Sequence, residues 1–160
     1  MAARRQIATG DRQVRSGDWT IETRSITASI GEQKLGVVGL GHIGKAVARR
    51  AEAFRMAVSW WGPRPHEAEW PRADTLLALA KASDILVVAC KADEANRGLI
   101  SRQVLDALGP DGLLVNVSRG QVVDEDALIA ALKSGTLGQA ALDVFVEEPT
   151  DPARWTDVPN

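Results

Sequence analysis

The chain has one cysteine, no long apolar run and no run of a single charge sign, and each of these absences removes a class of function. Cys90 stands alone among 160 residues, so no intramolecular disulfide is possible, and a reduced, cytoplasmic protein is expected. No stretch approaches the roughly 20 apolar residues that cross a bilayer. The opening MAARRQIATGD has two arginines with no apolar segment behind them, which is not the pattern of a secretory signal. Lys and Arg total 19 against 21 Asp and Glu, for a net charge of −2 without a basic cluster. Neither nucleic acid nor a membrane surface is therefore an expected partner, and no metal site is expected.

What is present is an apolar content of 45%, enough for the core of one domain. From Lys34 onward, the apolar runs LGVVG, MAVSWW, DILVVAC, GLLVNVS and GQAALDVF alternate with helical stretches at Ile43–Phe54, Ala73–Ala82, Ser101–Leu108 and Asp124–Ser134. Strands bounded by turn residues and lacking in-and-out alternation are those covered by helices on both faces, so the fold expected is α/β, a Rossmann-type doubly wound parallel sheet. Residues 31–150 form this unit. Residues 1–30 read as a helix, weakly amphipathic and broken near Gly10, followed over Trp19–Ser29 by an extended segment or a linker. Residues 151–160, ending WTDVPN, read as a connection cut short.

The stretch KLGVVGLGHIGKAV places Gly39, Gly41 and Gly44 between a strand and a helix. In that setting the first glycine makes a tight turn, the second lets a pyrophosphate approach the backbone, and the third lets the helix sit close to the strand. The phosphates would rest on the helix start at His42 and Ile43, where the imidazole of His42 could add a hydrogen bond. The next strand runs into SWWGPRPHE, where no acid stands at the strand end to hold a ribose 2′-hydroxyl. Instead Gly62 and Pro63 lead into Arg64, with Lys91 following the third strand. A guanidinium suits a 2′-phosphate, so the reading leans to NADP over NAD; the alternative for Arg64 is a solvated turn residue.

The segment GLLVNVSRGQVVDEDALIAALKSGTLGQAALDVFVEEP, together with GLGHIG, resembles the NAD(P)-binding domain of the D-isomer-specific 2-hydroxyacid dehydrogenases, nearest the glyoxylate and hydroxypyruvate reductase branch. The resemblance implies hydride transfer from NADPH or NADH to a small 2-oxo acid. It gives Arg119 the substrate carboxylate and carbonyl, Glu148 the hydrogen bond to a catalytic histidine, Asp143 the nicotinamide carboxamide, and Val117 a place beside the ring. It also makes ATGDRQVRSGDW an inter-domain helix that contributes to a homodimer. Two departures stand out. The family's histidine follows the EEP motif, and neither His42 nor His66 matches it; the flanking substrate domain is likewise missing, so the chain alone is expected to be inactive. In ACKADEANRGLI, Lys91 and Asn96 replace the family's commoner residues. The competing reading is a non-catalytic dinucleotide-binding or cofactor-sensing module.

Overall fold

Runs of Val, Leu and Ile that can leave neither face in water become the strands of a single parallel sheet. In the computed structural model, which describes residues 1–23, 27 and 29–159, these strands are β1 (Lys34–Val38), β2 (Ala57–Trp61), β3 (Ile85–Val88), β4 (Leu113–Asn116) and β5 (Gln139–Leu142). They lie in the order β2-β1-β3-β4-β5, and every neighbouring pair is parallel. Arg72 adds a one-residue parallel bridge outside β2, opposite Trp60. Counted as a vestigial strand, it completes the 3-2-1-4-5-6 order of the Rossmann fold, whose ligand crevice opens where the strand order reverses. Here that point is the gap between the carboxyl ends of β1 and β3.

Alternate residues of each strand feed two separate cores. Leu35, Val37, Val58, Trp60, Ile85, Val87 and Leu113 pack on one face with Ala48 and Ala51 of helix α2 (His42–Ala53). Val38, Leu86, Val88 and Leu114 pack on the other face with α3 (Leu76–Lys81), α4 (Arg102–Leu108) and α5 (Glu125–Ser134). The sheet is thus doubly wound, as the apolar runs required. The side chain of Thr75 accepts from the Ala78 N–H to start α3, and Asp124 accepts from the Ala127 N–H to start α5.

The structure departs from the sequence reading in three places. The first helix, α1 (Ile7–Ser16), is not broken at Gly10, whose N–H donates to the Gln6 carbonyl at 2.9 Å, and it ends at Gly17 in the left-handed region. Helix α3 begins later than Ala73 because Thr75 is extended and caps the helix, while the Ala73 N–H continues the edge bridge by donating to the Trp60 carbonyl at 2.8 Å. Strand β5 is half-buried along its whole length, as an edge strand is. The linker assigned to Trp19–Ser29 falls partly on residues 24–26 and 28, which lie outside the described residues, as does Asn160. Among the described residues, no helix is long and apolar enough to cross a membrane.

Candidate functional site

The parallel ladder runs one hydrogen bond beyond the strands at their carboxyl ends. Gly39 donates to the Trp61 carbonyl (2.8 Å), Ala89 to Val38 (2.9 Å), Val117 to Val88 (3.2 Å) and Asp143 to Asn116 (3.0 Å). Gly39, Val117 and Asp143 are thereby held in one row along the sheet edge. Arg64, Lys91 and Arg119 follow in the loops after β2, β3 and β4.

At the β1 end of this row the three glycines meet different constraints. Gly39 has φ +91°, and a Cβ built on it would stand 2.5 Å from the Cα of Cys90, so both backbone shape and space demand glycine. A Cβ on Gly44 would overlap the Gly39 carbonyl oxygen, so this turn of α2 lies directly on the loop. A Cβ on Gly41 would meet nothing within 4 Å. Gly41 caps α2 with no side-chain hydrogen bond, and the first turn holds no acid. The leading N–H groups of α2 therefore face an open approach with neither a cap nor a carboxylate to compete, which fits a phosphate-bearing ligand. His42 and Ile43 are exposed in this first turn. Burial holds the Cys90 thiol above its ordinary range, and Asp93 adds to the effect, so Cys90 serves here as packing against Gly39.

The loop after β4 is shaped by Asn116, a residue of the NVSRG motif to which the sequence alone assigns no role. Asn116 is buried, and its Oδ1 accepts from the Ser118 N–H at 3.1 Å while its Nδ2 donates to the Arg119 carbonyl at 3.1 Å. Arg119 is exposed; its Nη1 donates to the Ser118 carbonyl at 2.8 Å, and its remaining donors have no partner among the described residues. That leaves part of a rigid fork free to meet a planar anion. Arg119 and Glu148 line one cleft of 390 Å³ together with Ala92, Gln121, Phe145 and Val146. Glu148 accepts from the Phe145 N–H at 2.9 Å through one oxygen.

Two further residues bring these loops together. A Cβ on Gly120 would overlap the backbone between Phe145 and Val146, so the two loops touch main chain to main chain. Glu125, with a side chain only 7% exposed, accepts from the Val146 N–H at 2.6 Å and lies 3.5 Å from an Arg154 Nη2 that also pairs with Asp126. The sequence carried a signal for Glu125: it shares the helical stripe of Leu128 and Leu132, where an acid is out of place unless it is partnered. At the other end of the site Gly62 is buried while Pro63, Arg64 and Lys91 are exposed, and Asn96 closes its loop by donating to the Lys91 carbonyl at 2.7 Å. Among the described residues, no cluster of His, Cys, Asp and Glu is placed to hold a metal ion.

The family model for the NAD-binding domain of D-isomer specific 2-hydroxyacid dehydrogenases matches residues 1–160. The chain belongs to this family. It is 45% identical to glyoxylate/hydroxypyruvate reductase A of Arabidopsis thaliana, covering all of this chain and 51% of that protein. It is 41% identical to the 2-ketogluconate reductase of Gluconobacter oxydans, of which it covers 52%. Among solved structures, the 2-hydroxyacid dehydrogenase of Ketogulonicigenium vulgare superposes with a TM-score of 0.90 at 41% identity over 99% of this chain and 51% of that one. The NADPH-dependent glyoxylate/hydroxypyruvate reductase of Sinorhizobium meliloti, in complex with NADP and malonate, superposes at 0.87 with 36% identity over 99% of this chain and 50% of that one. The chain thus spans about half the length of the relatives it matches, the half that is the dehydrogenase family's NAD-binding domain.

Two stability measurements test this geometry. Gly44→Val overpacks the helix against the loop and should cost about 3 kcal/mol, lowering the thermal midpoint by about 6–12 °C. Gly41→Ala, with open space around it, should cost less than about 1 kcal/mol; equal losses would contradict the packing described. Asn116→Ala strips partners from the Ser118 N–H and the Arg119 carbonyl, and urea unfolding should show a loss of about 2–3 kcal/mol.

Proposed function

We propose that the chain binds NADPH along the carboxyl edge of its sheet, with NADH the weaker ligand, and forms the cofactor half of a reductase for small 2-oxo acids such as glyoxylate or hydroxypyruvate. One observation carries the reading: an uncapped helix N-terminus behind a glycine loop shares a sheet edge with Arg119, whose free donors open on the same cleft as Glu148. The NADPH dependence of the Sinorhizobium meliloti relative supports the choice of cofactor.

In this reading Gly39, Gly41, His42, Ile43 and Gly44 hold the pyrophosphate. Gly62, Pro63 and Arg64, with Lys91 across the crevice, take the 2′-phosphate, and Val117 and Asp143 seat the nicotinamide. The nicotinamide supplies the hydride. Arg119 clamps the substrate carboxylate through its fork and places positive charge beside the oxygen that becomes negative as the carbonyl is reduced. Glu148 holds the proton on a histidine contributed from outside these residues, because a carboxylate beside an imidazole favours the imidazolium. The protein works in the cytoplasm as a homodimer joined through α1, whose Ile7 and Val14 are 57% and 64% exposed.

Saturating NADPH, at about 100 times its dissociation constant, should stabilise the 160-residue chain by about 2.7 kcal/mol and raise its melting midpoint by about 5–10 °C. An unchanged midpoint would remove the cofactor assignment. Arg64→Asp should weaken NADPH at least about tenfold while leaving NADH within about twofold. With NADPH and glyoxylate together these residues alone should give no oxidation of the cofactor, and measurable turnover would overturn the assignment of the proton donor to another segment. Light scattering at high protein concentration should give the mass of a dimer; a monomer would exclude α1 as a self-association surface.

A further inference from the structure

The loop from Gly62 to Arg72 has no regular structure, yet it wraps around a single side chain. The Trp60 indole is 1% exposed and donates through Nε1 to the Trp70 carbonyl at 3.1 Å. The His66 ring lies 4.4 Å from it, centroid to centroid, and the Arg72 guanidinium lies 5.8 Å from its centroid. Arg49 and Glu69 tie the loop to α2 by an ion pair of 3.1 Å. Arg72 closes the circuit: its Nη2 donates to the Gly62 carbonyl at 2.8 Å, while its Nε is buried without a hydrogen-bond partner.

A guanidinium with a stripped donor is a costly occupant for a sheet edge beside a tryptophan, where an apolar side chain would pack without penalty. What the arginine adds is a charge-assisted grip on the first residue of the turn that carries Arg64. Proline fixes φ at the next position, so with the Gly62 carbonyl held by Arg72 the backbone before Arg64 has little freedom. Arg64 itself is exposed, and its guanidinium has no partner among the described residues.

We propose that Arg72 is a positioning residue for cofactor selection: from its place over the Trp60 indole it holds the Gly62 carbonyl and so sets the turn from which Arg64 reaches the 2′-phosphate of NADPH. This rests on the NADPH reading above. The test is the ratio of NADPH to NADH dissociation constants, measured by titration on the 160-residue chain for the unsubstituted protein, Arg64→Met, Arg72→Met, Arg72→Lys and the double variant Arg64→Met/Arg72→Met. Arg72→Met should weaken NADPH about tenfold and NADH less than about twofold, the size expected from one lost charge-assisted contact. Arg72→Lys should behave the same way, because an ammonium keeps the charge but loses the planar fork and its stacking. The double variant should bind NADPH no more weakly than Arg64→Met alone, since one residue acts through the other.

An Arg72→Lys protein with unchanged preference would mean that charge alone suffices and would overturn the proposal, as would additive losses in the double variant or equal losses of both cofactors. If the unsubstituted chain does not discriminate, or Arg64→Met changes nothing, the NADPH reading itself falls and takes this proposal with it. A preference that survives both Arg72 variants sinks the proposal alone. Should the variants fold poorly, guanidinium NMR of the unsubstituted chain decides. Adenosine 2′,5′-bisphosphate should shift the Arg64 signals and leave those of Arg72 in place, and a comparable shift at Arg72 would show a direct phosphate contact instead.

Discussion

The contact on which the site depends is between two pieces of backbone. Gly39 lies against Cys90 at the end of β3, and Gly44 lies against the Gly39 carbonyl, so loop, strand and helix meet with no side chain between them. Neighbouring strands leave about 4.8 Å between backbones, and a turn that must leave β1 beside β3 and re-enter a helix within a few residues has no volume for a Cβ at either position. This close approach brings the N-terminus of α2 over the gap between β1 and β3. The N–H groups there keep their direction because the turn beneath them cannot relax, and a fixed array of donors binds an anion without first having to be ordered.

The other half of the edge is organised by polar locks. In the proposed reading a pyrophosphate is met by backbone at close range, whereas a carboxylate is met by a side chain aimed from a defined base. Asn116 supplies that base for Arg119 by bonding both sides of the intervening turn, and Glu125 fixes the Phe145–Val146 backbone from which Glu148 extends. Burying the Glu125 carboxylate carries a desolvation cost, offset by a short hydrogen bond from Val146 and by Arg154 at the rim. The Phe145 ring also meets Trp155 in a T-shaped pair, ring centroids 5.4 Å apart. Helix α5 is therefore more than a cover for the sheet: its first turn carries the fastening for the next loop.

The strands were legible because their burial on both faces writes itself as continuous apolar text, and the glycine loop was legible because its chemistry is local, contained within six residues between one strand and one helix. The less legible features join residues that sequence spacing does not relate. The delayed start of α3 accompanies an edge bridge that carries the chain extended past Ala73, bonded to Trp60, as far as the Thr75 cap, which no helical periodicity reports. The continuity of α1 through Gly10 reflects an intact backbone bond where propensity alone suggests a break. Asn116 stood in plain view within NVSRG, but its function depends on being buried beneath the turn it closes, and burial at a strand end is decided by the loops that fold over it.

Cofactor choice shows the same division between local and distant information. The lack of an acid at the carboxyl end of β2 is readable from the sequence, but it only removes a repulsion; discrimination for a phosphate needs a cation at a fixed place. An exposed arginine has about 2 kcal/mol of rotamer freedom to lose when it binds, so its value depends on how much of its path is set beforehand. The backbone beneath Arg64 is set by Pro63 in sequence and by Trp60 and Arg72 in space. A turn of this composition on a strand lacking that tryptophan would carry the same charge without the same aim. The indole at position 60 thus links the core on the α2 face to the turn that carries Arg64.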